Sequence, residues 1–229
     1  MKNLLQGRRF WGKMKNRMAK ILAVSDQVVD RIYTLATGGH FKDVDLILGC
    51  GDLPYNYLEY LLSVLNVPLF YVPGNHDPVY QPSRPVTYAE GGTNLDLDTA
   101  CAKGFFLAGI GGSIRYRPDG VNQYTQAEAY SRAYRLALQI LFRQARYQQK
   151  LDILITHSPP FEIHDEDSTA HRGLKALNFL IRVIQPRYLL HGHTHFYRSN
   201  LESAVTKIGR TTVMNIFPYK VIDIEKGAD

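Results

Sequence analysis

From residue 21 onward the chain repeats one order of events: a short apolar run, a polar loop, then an apolar stripe at helical spacing. Ile21-Leu22-Ala23-Val24 is followed by Ser25-Asp26, after which Val28, Val29, Ile32, Leu35 and Ala36 recur up to Gly38-Gly39. Val44 to Leu48 is followed by Gly49-Cys50-Gly51-Asp52 and then by Tyr57, Leu58, Leu61, Leu62 and Leu65. Val67 to Val72 makes a third such run, ending at Pro73-Gly74-Asn75-His76-Asp77. Unbroken apolar runs suit strands covered on both faces, and the stripes suit the helices that cover them. Strands separated by helices pair in parallel, so the loops at their carboxyl ends gather along one edge of the sheet. Asp26, Asp52 and Asn75-His76 are therefore expected to be neighbours in space.

The same reading continues to the end of the chain. Residues 78–104 are rich in Pro, Gly, Thr and Asp without a sustained period and read as a long loop that can hold a short hairpin. Phe105 to Ile110 is a strand, Thr125 caps a helix that runs to about Lys150, and Leu151 to Thr156 is a buried strand ending in His157-Ser158-Pro159-Pro160. Leu174, Leu177, Ile181 and Ile184 mark a helix that stops before Pro186, and Tyr188-Leu189-Leu190 runs into His191-Gly192-His193-Thr194-His195. Thr211 to Ile216 and Tyr219 to Ile224 read as antiparallel strands around Pro218.

A length of 229 residues suits one domain, residues 18–229, with no convincing internal boundary. The net charge of +6 suggests a polyanion partner until it is located. Residues 1–17 hold Lys2, Arg8, Arg9, Lys13, Lys15 and Arg17 with no acid, so the remaining chain has 21 basic residues against 21 acidic ones. This basic tail reads as disordered or as a mis-assigned start ahead of Met18, and the neutral body gives no reason to expect a nucleic acid or a membrane. Cys50 and Cys101 stand in no redox or zinc spacing, which suits a reducing, cytoplasmic setting.

Collecting the polar residues at strand ends gives Asp26, Asp52, Asn75, His76, His157, His193 and His195. Carboxylate, amide oxygen and imidazole together suit manganese, iron or zinc rather than calcium. His193 and His195, two apart on an extended segment, would point the same way and could serve two ions that a carboxylate such as Asp52 bridges.

The ordered motifs resemble those of the calcineurin-like metallophosphoesterases: Asp26-Gln27-Val28, Gly51-Asp52, Gly74-Asn75-His76-Asp77, His157, and Gly192-His193-Thr194-His195. Each alone is weak, but five in this order over residues 20–224 are specific. The resemblance implies an α/β fold of two packed, mostly parallel or mixed β-sheets flanked by helices, a four-layer sandwich. It implies two transition-metal ions, one held by Asp26, Asp52 and His195 and the other by Asp52, Asn75, His157 and His193. It also implies attack of metal-bound hydroxide on phosphorus, with His76 as proton donor or phosphate ligand and Asp77 orienting its imidazole. The substrate would be a small phosphate ester or nucleotide, a diester for preference. Gly51-Asp52-Leu53-Pro54 does not look like the corresponding motif of the protein phosphatases of this fold.

The family's first-motif histidine is Val28 here, which leaves the first metal three protein ligands and predicts low occupancy there. The alternative from another class is a non-catalytic metal-binding or interaction scaffold of the same fold, against which the retained His76 argues. His191 and Asp30 read as structural, His164 and the acids at 165–167 as a solvated loop, and His171-Arg172 as candidates to touch a substrate phosphate. Asn94, Tyr116 and Arg117 are too weakly placed to assign.

Overall fold

The computed structural model describes residues 18–196 and 204–225, so the basic segment 1–17 lies outside the described residues. In chain order the elements are β1 (Met18–Val24), α1 (Asp30–Thr37), β2 (Leu46–Gly49), α2 (Tyr55–Leu65), β3 (Leu69–Tyr71), β4 (Thr93–Asn94), β5 (Asp98–Ala102) and β6 (Phe105–Ile110). Then follow β7 (Ser113–Ile114), β8 (Gln123–Tyr124), α3 (Gln126–Tyr147), β9 (Ile153–Thr156), α4 (Lys175–Ile184), β10 (Tyr188–His191), β11 (Val205–Ile208), β12 (Thr211–Asn215) and β13 (Tyr219–Glu225).

One sheet has the order β13-β1-β2-β3-β4 and the other β11-β12-β10-β9-β6-β5, with β7 and β8 forming a small separate pair. Strands β1 to β4 pair in parallel, as do β6, β9, β10 and β12, while the antiparallel pairings fall to β13, β11 and β5 at sheet edges. The pleat divides each apolar run between two layers. Ile21, Leu46, Leu48, Phe105, Leu107, Ile153, Ile155 and Leu190 fill the space between the sheets. Their neighbours Leu22, Val24 and Ile47 face outward onto Ile32, Leu58 and Leu61 of α1 and α2. Phe106, Ala108, Leu154 and Leu189 do the same on the other sheet, against Leu136 and Ile140 of α3 and Leu177 and Leu180 of α4. The result is the four-layer α/β sandwich, and both faces of each sheet are covered, which is why the strands carry so little alternation.

Two expectations are corrected. Within the long segment, Asp98–Ala102 is a full strand pairing antiparallel with Phe105–Ile110; its mixed sequence, with Cys101 and Asp98 exposed, reflects its place at the edge of the sheet. The two C-terminal strands do not pair with each other: β12 lies parallel to β10 in one sheet, whereas β13 lies antiparallel to β1 in the other. The chain changes sheet between Asn215 and Tyr219, a step that no local pattern encodes. Helix α3 starts as expected, with the Thr125 hydroxyl accepting the Glu128 N–H and Glu128 returning the bond to the Thr125 N–H.

A candidate metal centre at the strand ends

The parallel strands β1, β2, β9 and β10 and the turn after β3 bring their carboxyl ends to one edge, where backbone bonds join the loops. The Asp26 N–H donates to the Gly51 carbonyl (3.1 Å) and the Gly192 N–H to the His157 carbonyl (3.0 Å). Three residues here, Asp26 (φ 63°), Asp52 (φ 55°) and His193 (φ 66°), occupy the left-handed region. Asp and His tolerate it better than most, and such strain concentrates at functional sites. The motif glycines have a steric reason. A Cβ on Gly74 would stand 2.0 Å from Asp52 Oδ1, and one on Gly192 would stand 2.2 Å from Asp26 Oδ2.

Four polar atoms converge. His157 Nε2 lies 3.3 Å from Asp52 Oδ2, 3.0 Å from Asn75 Oδ1 and 3.1 Å from His193 Nδ1. The hydrogen bonds behind them define their state. His157 Nδ1 lies 2.9 Å from the Cys50 carbonyl, and His193 Nε2 lies 2.8 Å from the Ala170 carbonyl. A carbonyl can only accept, so each of these nitrogens carries the proton, and the ring's other nitrogen is bare when the imidazole is neutral. Asn75 Nδ2 donates to the Tyr116 hydroxyl (3.1 Å), which turns its Oδ1 toward the histidines. With both imidazoles neutral, a carboxylate, an amide oxygen and two imidazole nitrogens face one another with no donor among them, an arrangement relieved by a proton on His157 or by a metal ion. Donors bound to one transition-metal ion at about 2.0–2.2 Å stand roughly 3.0–3.6 Å from each other, which the three separations from His157 Nε2 match. Asp52, His157 and His193 are also the one group of three or more His, Cys, Asp or Glu among the described residues whose ligand atoms all lie within 4.8 Å.

The electrostatics of the metal-free chain say the same thing. Burial would hold His157 neutral, but the adjacent Asp52 carboxylate and the Asp26 charge outweigh it and raise its pKa to about 10. Burial likewise opposes the Asp52 charge, yet His157 and the His76 N–H pull its pKa down to about 2. His193 is pushed down to about 3 by burial and by the neighbouring His157. A proton on His157 is the stand-in for a metal.

The other half of the expected set is arranged differently. Both Asp26 oxygens accept the His193 N–H, at 2.9 and 3.0 Å, and burial raises this carboxyl's pKa. His195 is exposed, unlike the buried His193, and stacks on Phe217 with rings 4.2 Å apart. Val28 packs against the apolar layer of α1 and α2, and Asp30 is exposed at the start of α1.

His76 is exposed, and its backbone N–H donates to Asp52 Oδ1 at 2.8 Å. It lines an open cavity of about 770 Å³ beside Asp52. Asp77 makes no hydrogen bond to the His76 imidazole among the described residues. Its Oδ2 accepts the N–H groups of Asp52 (2.9 Å) and Gly74 (2.7 Å), which ties the second and third loops together. The orienting role expected of it is replaced by this clamp, because the turn directs the carboxylate inward, where burial raises its pKa to about 6.

His171 stands at the rim, its ring 5.3 Å from that of His193 and its Nδ1 2.8 Å from the Ser168 hydroxyl, with Arg172 exposed beside it. His164 does not lie in a solvated loop. Its Nδ1 is 2.8 Å from His191 Nε2 and its Nε2 2.9 Å from the Thr206 hydroxyl, a half-buried chain that begins at the Gly192 carbonyl and supports the Gly-His turn from behind. Tyr116, unassigned from sequence, holds Asn75; no local pattern marks it, since it comes from the loop between β7 and β8.

A two-sheet α/β sandwich with a histidine, aspartate and asparagine cluster at its strand ends defines a class of metal-binding phosphoesterase folds. The model of the calcineurin-like phosphoesterases matches residues 19–197, and the chain belongs to that family. It is 28% identical over 203 residues to the uncharacterized protein MJ1162 of Methanocaldococcus jannaschii, covering 81% of this chain and 84% of that protein. The crystal structure of TT1561 of Thermus thermophilus shares the fold with a TM-score of 0.57 at 19% identity, over 87% of this chain and 89% of the other. A second crystal structure aligns with a TM-score of 0.62 at 16% identity over 90% of this chain and 95% of its own. No helix among the described residues is long and apolar enough to cross a membrane.

Proposed function

We propose that this chain hydrolyses a phosphate ester, a phosphodiester for preference, at a centre in which Asp52, Asn75, His157 and His193 hold one metal ion and Asp26, Asp52 and His195 a second, weaker one. The observation that carries this reading is the convergence of a carboxylate oxygen, an amide oxygen and two imidazole nitrogens on one point, held together in the metal-free chain by a single proton on His157. Manganese, iron or zinc suits that donor set. When bound, such ions supply Lewis-acid stabilisation of the phosphoryl charge and an activated water.

The chain's own residues do the rest. The His76 imidazole is exposed and its backbone N–H is held by Asp52, which supports a role for it in reaching a phosphoryl oxygen or in giving a proton to the leaving alkoxide. The Asp77 clamp fixes the Asp52 and Gly74 backbones relative to each other and so keeps His76 at that position. His171 and Arg172 at the rim suit contact with a phosphate that bridges outward.

The test is a screen of manganese-, iron- and zinc-loaded wild type beside His76→Ala against bis(p-nitrophenyl) phosphate and p-nitrophenyl phosphate. Diester hydrolysis that falls about 100-fold or more in the variant, while metal content stays the same, is the expected result. Wild type that neither retains metal nor turns over either ester would make the chain a scaffold instead.

A further inference from the structure

The cavity beside His76 has a chemistry of its own. Its walls are apolar where Pro54 and Val86 line it, and polar at Tyr55, Glu59 and Glu90. No lysine or arginine lines it. Tyr55, the first residue of α2, is only 8% exposed, yet its hydroxyl has no hydrogen-bond partner among the described residues. Burial and the nearby Asp77 charge keep that phenol protonated, so it can donate to a group in the cavity it lines. Glu59 Oε1 accepts the backbone N–H of Glu90 at 2.9 Å, both acids line the cavity, and neither forms an ion pair among the described residues. The start of α2 would attract an anion with about half a unit of positive charge. Two carboxylates outside the metal site, those of Glu59 and Glu90, line the same space and outweigh it.

We propose that this cavity seats the leaving alcohol of the substrate and that this alcohol carries an ammonium group, so that the chain acts on phosphate esters of amino alcohols rather than on esters bearing a second phosphate. The proposal rests on the phosphoesterase reading above. The ammonium sits against Glu59 and Glu90, the carbon chain lies along Pro54 and Val86, and the Tyr55 hydroxyl donates to an oxygen of the ester. Water adds to phosphorus, the bond from phosphorus to the amino alcohol's oxygen breaks, and that oxygen takes its proton from His76. A volume of about 770 Å³ leaves room for a group well beyond the smallest amino alcohol.

Three diesters of one size test it: 2-aminoethyl methyl phosphate, propyl methyl phosphate and 2-carboxyethyl methyl phosphate, followed by phosphorus-31 NMR with the manganese-loaded full chain. The aminoethyl ester is expected to react with a kcat/KM about tenfold or more above the propyl ester, as for one hydrogen bond to a charged group, and the carboxyethyl ester is expected to be slowest. The product should be methyl phosphate, which shows that the amino alcohol is the group that leaves. In the double variant Glu59→Gln with Glu90→Gln, the amide introduced at position 59 still offers an oxygen to the backbone N–H of position 90, and the aminoethyl preference should disappear. Equal rates for the three esters, a preference for the carboxylate, or a preference that survives in the double variant would each overturn the proposal. Bis(p-nitrophenyl) phosphate is the control for the reading beneath it: turnover of that ester without any amine preference sinks the cavity assignment alone. Should no ester react, saturation-transfer NMR with ethanolamine decides the cavity without turnover, a signal lost in the double variant supporting it and no signal in wild type refuting it.

Discussion

The two halves of the strand-end site are built to different standards. Around His157, every candidate ligand is fixed by a bond from behind: the Cys50 and Ala170 carbonyls set the two imidazoles and Tyr116 sets the Asn75 amide. Around Asp26, the carboxylate is engaged by the His193 N–H, His195 stacks on Phe217 at the surface, and the place of a histidine is taken by Val28, which belongs to the apolar layer. A ligand set that is held in place before metal arrives binds without the cost of ordering it. The difference therefore predicts one tight and one weak position.

The largest effect should come from breaking the well-built half. His157→Ala is expected to lower metal affinity by more than about 100-fold and to take diester activity with it, as measured by metal content after dialysis and by turnover. His195→Ala should leave the tight phase of a metal titration intact and remove only the weak one. Two equally tight phases in wild type would contradict the comparison outright. Val28→His is the converse: it should tighten the weak phase by about tenfold or more, and it should lower the melting temperature because an apolar contact with the α1 and α2 layer is lost.

Smaller effects sharpen the picture. Tyr116→Phe frees the Asn75 amide and is expected to weaken the tight site by about tenfold, on the scale of an outer-shell partner, with the weak site unmoved. Metal uptake at pH 7 should release about one proton, because His157, with a pKa of about 10, holds one in the metal-free chain and His193, at about 3, holds none. A pH-stat reads this directly, and affinity should rise with pH until His157 has titrated. The sign for stability is opposite. Since the folded-state pKa of His157 is raised, its stabilisation of the metal-free fold is complete below the ordinary imidazole value of about 6.5 and is lost as pH rises through about 10. Asp77→Ala should cost about 1–3 kcal/mol of stability by freeing two buried N–H groups, and Asp77→Asn, which keeps an oxygen there, should cost less. A variant that melts normally but shifts the pH profile of turnover would return Asp77 to the role of orienting His76.

Most of the architecture was legible because the signals are local. The first three strands, both helices between them and the Thr125 cap follow from period and punctuation, and parallel pairing follows from the crossovers. What failed were features that depend on distant partners. Asp98–Ala102 is a strand because Phe105–Ile110 lies beside it, and the two C-terminal strands part company because β10 and β1 are where each finds its ladder. His164 reads as a loop residue among acids, yet it faces His191 and Thr206 from elements 27 and 42 residues away.

The sequence by itself determined which residues arrive at the strand ends, since each candidate follows an apolar run and a parallel sheet carries such ends to one edge. Only the tertiary structure decided what they do there. Backbone carbonyls at Cys50 and Ala170, which have no residue code, choose the protonated nitrogen of each imidazole. The direction of one carboxylate turns Asp77 from a partner of His76 into a clamp between loops. Hydrogen-bond direction and side-chain placement depend on atoms far apart in the chain, and a linear pattern carries neither.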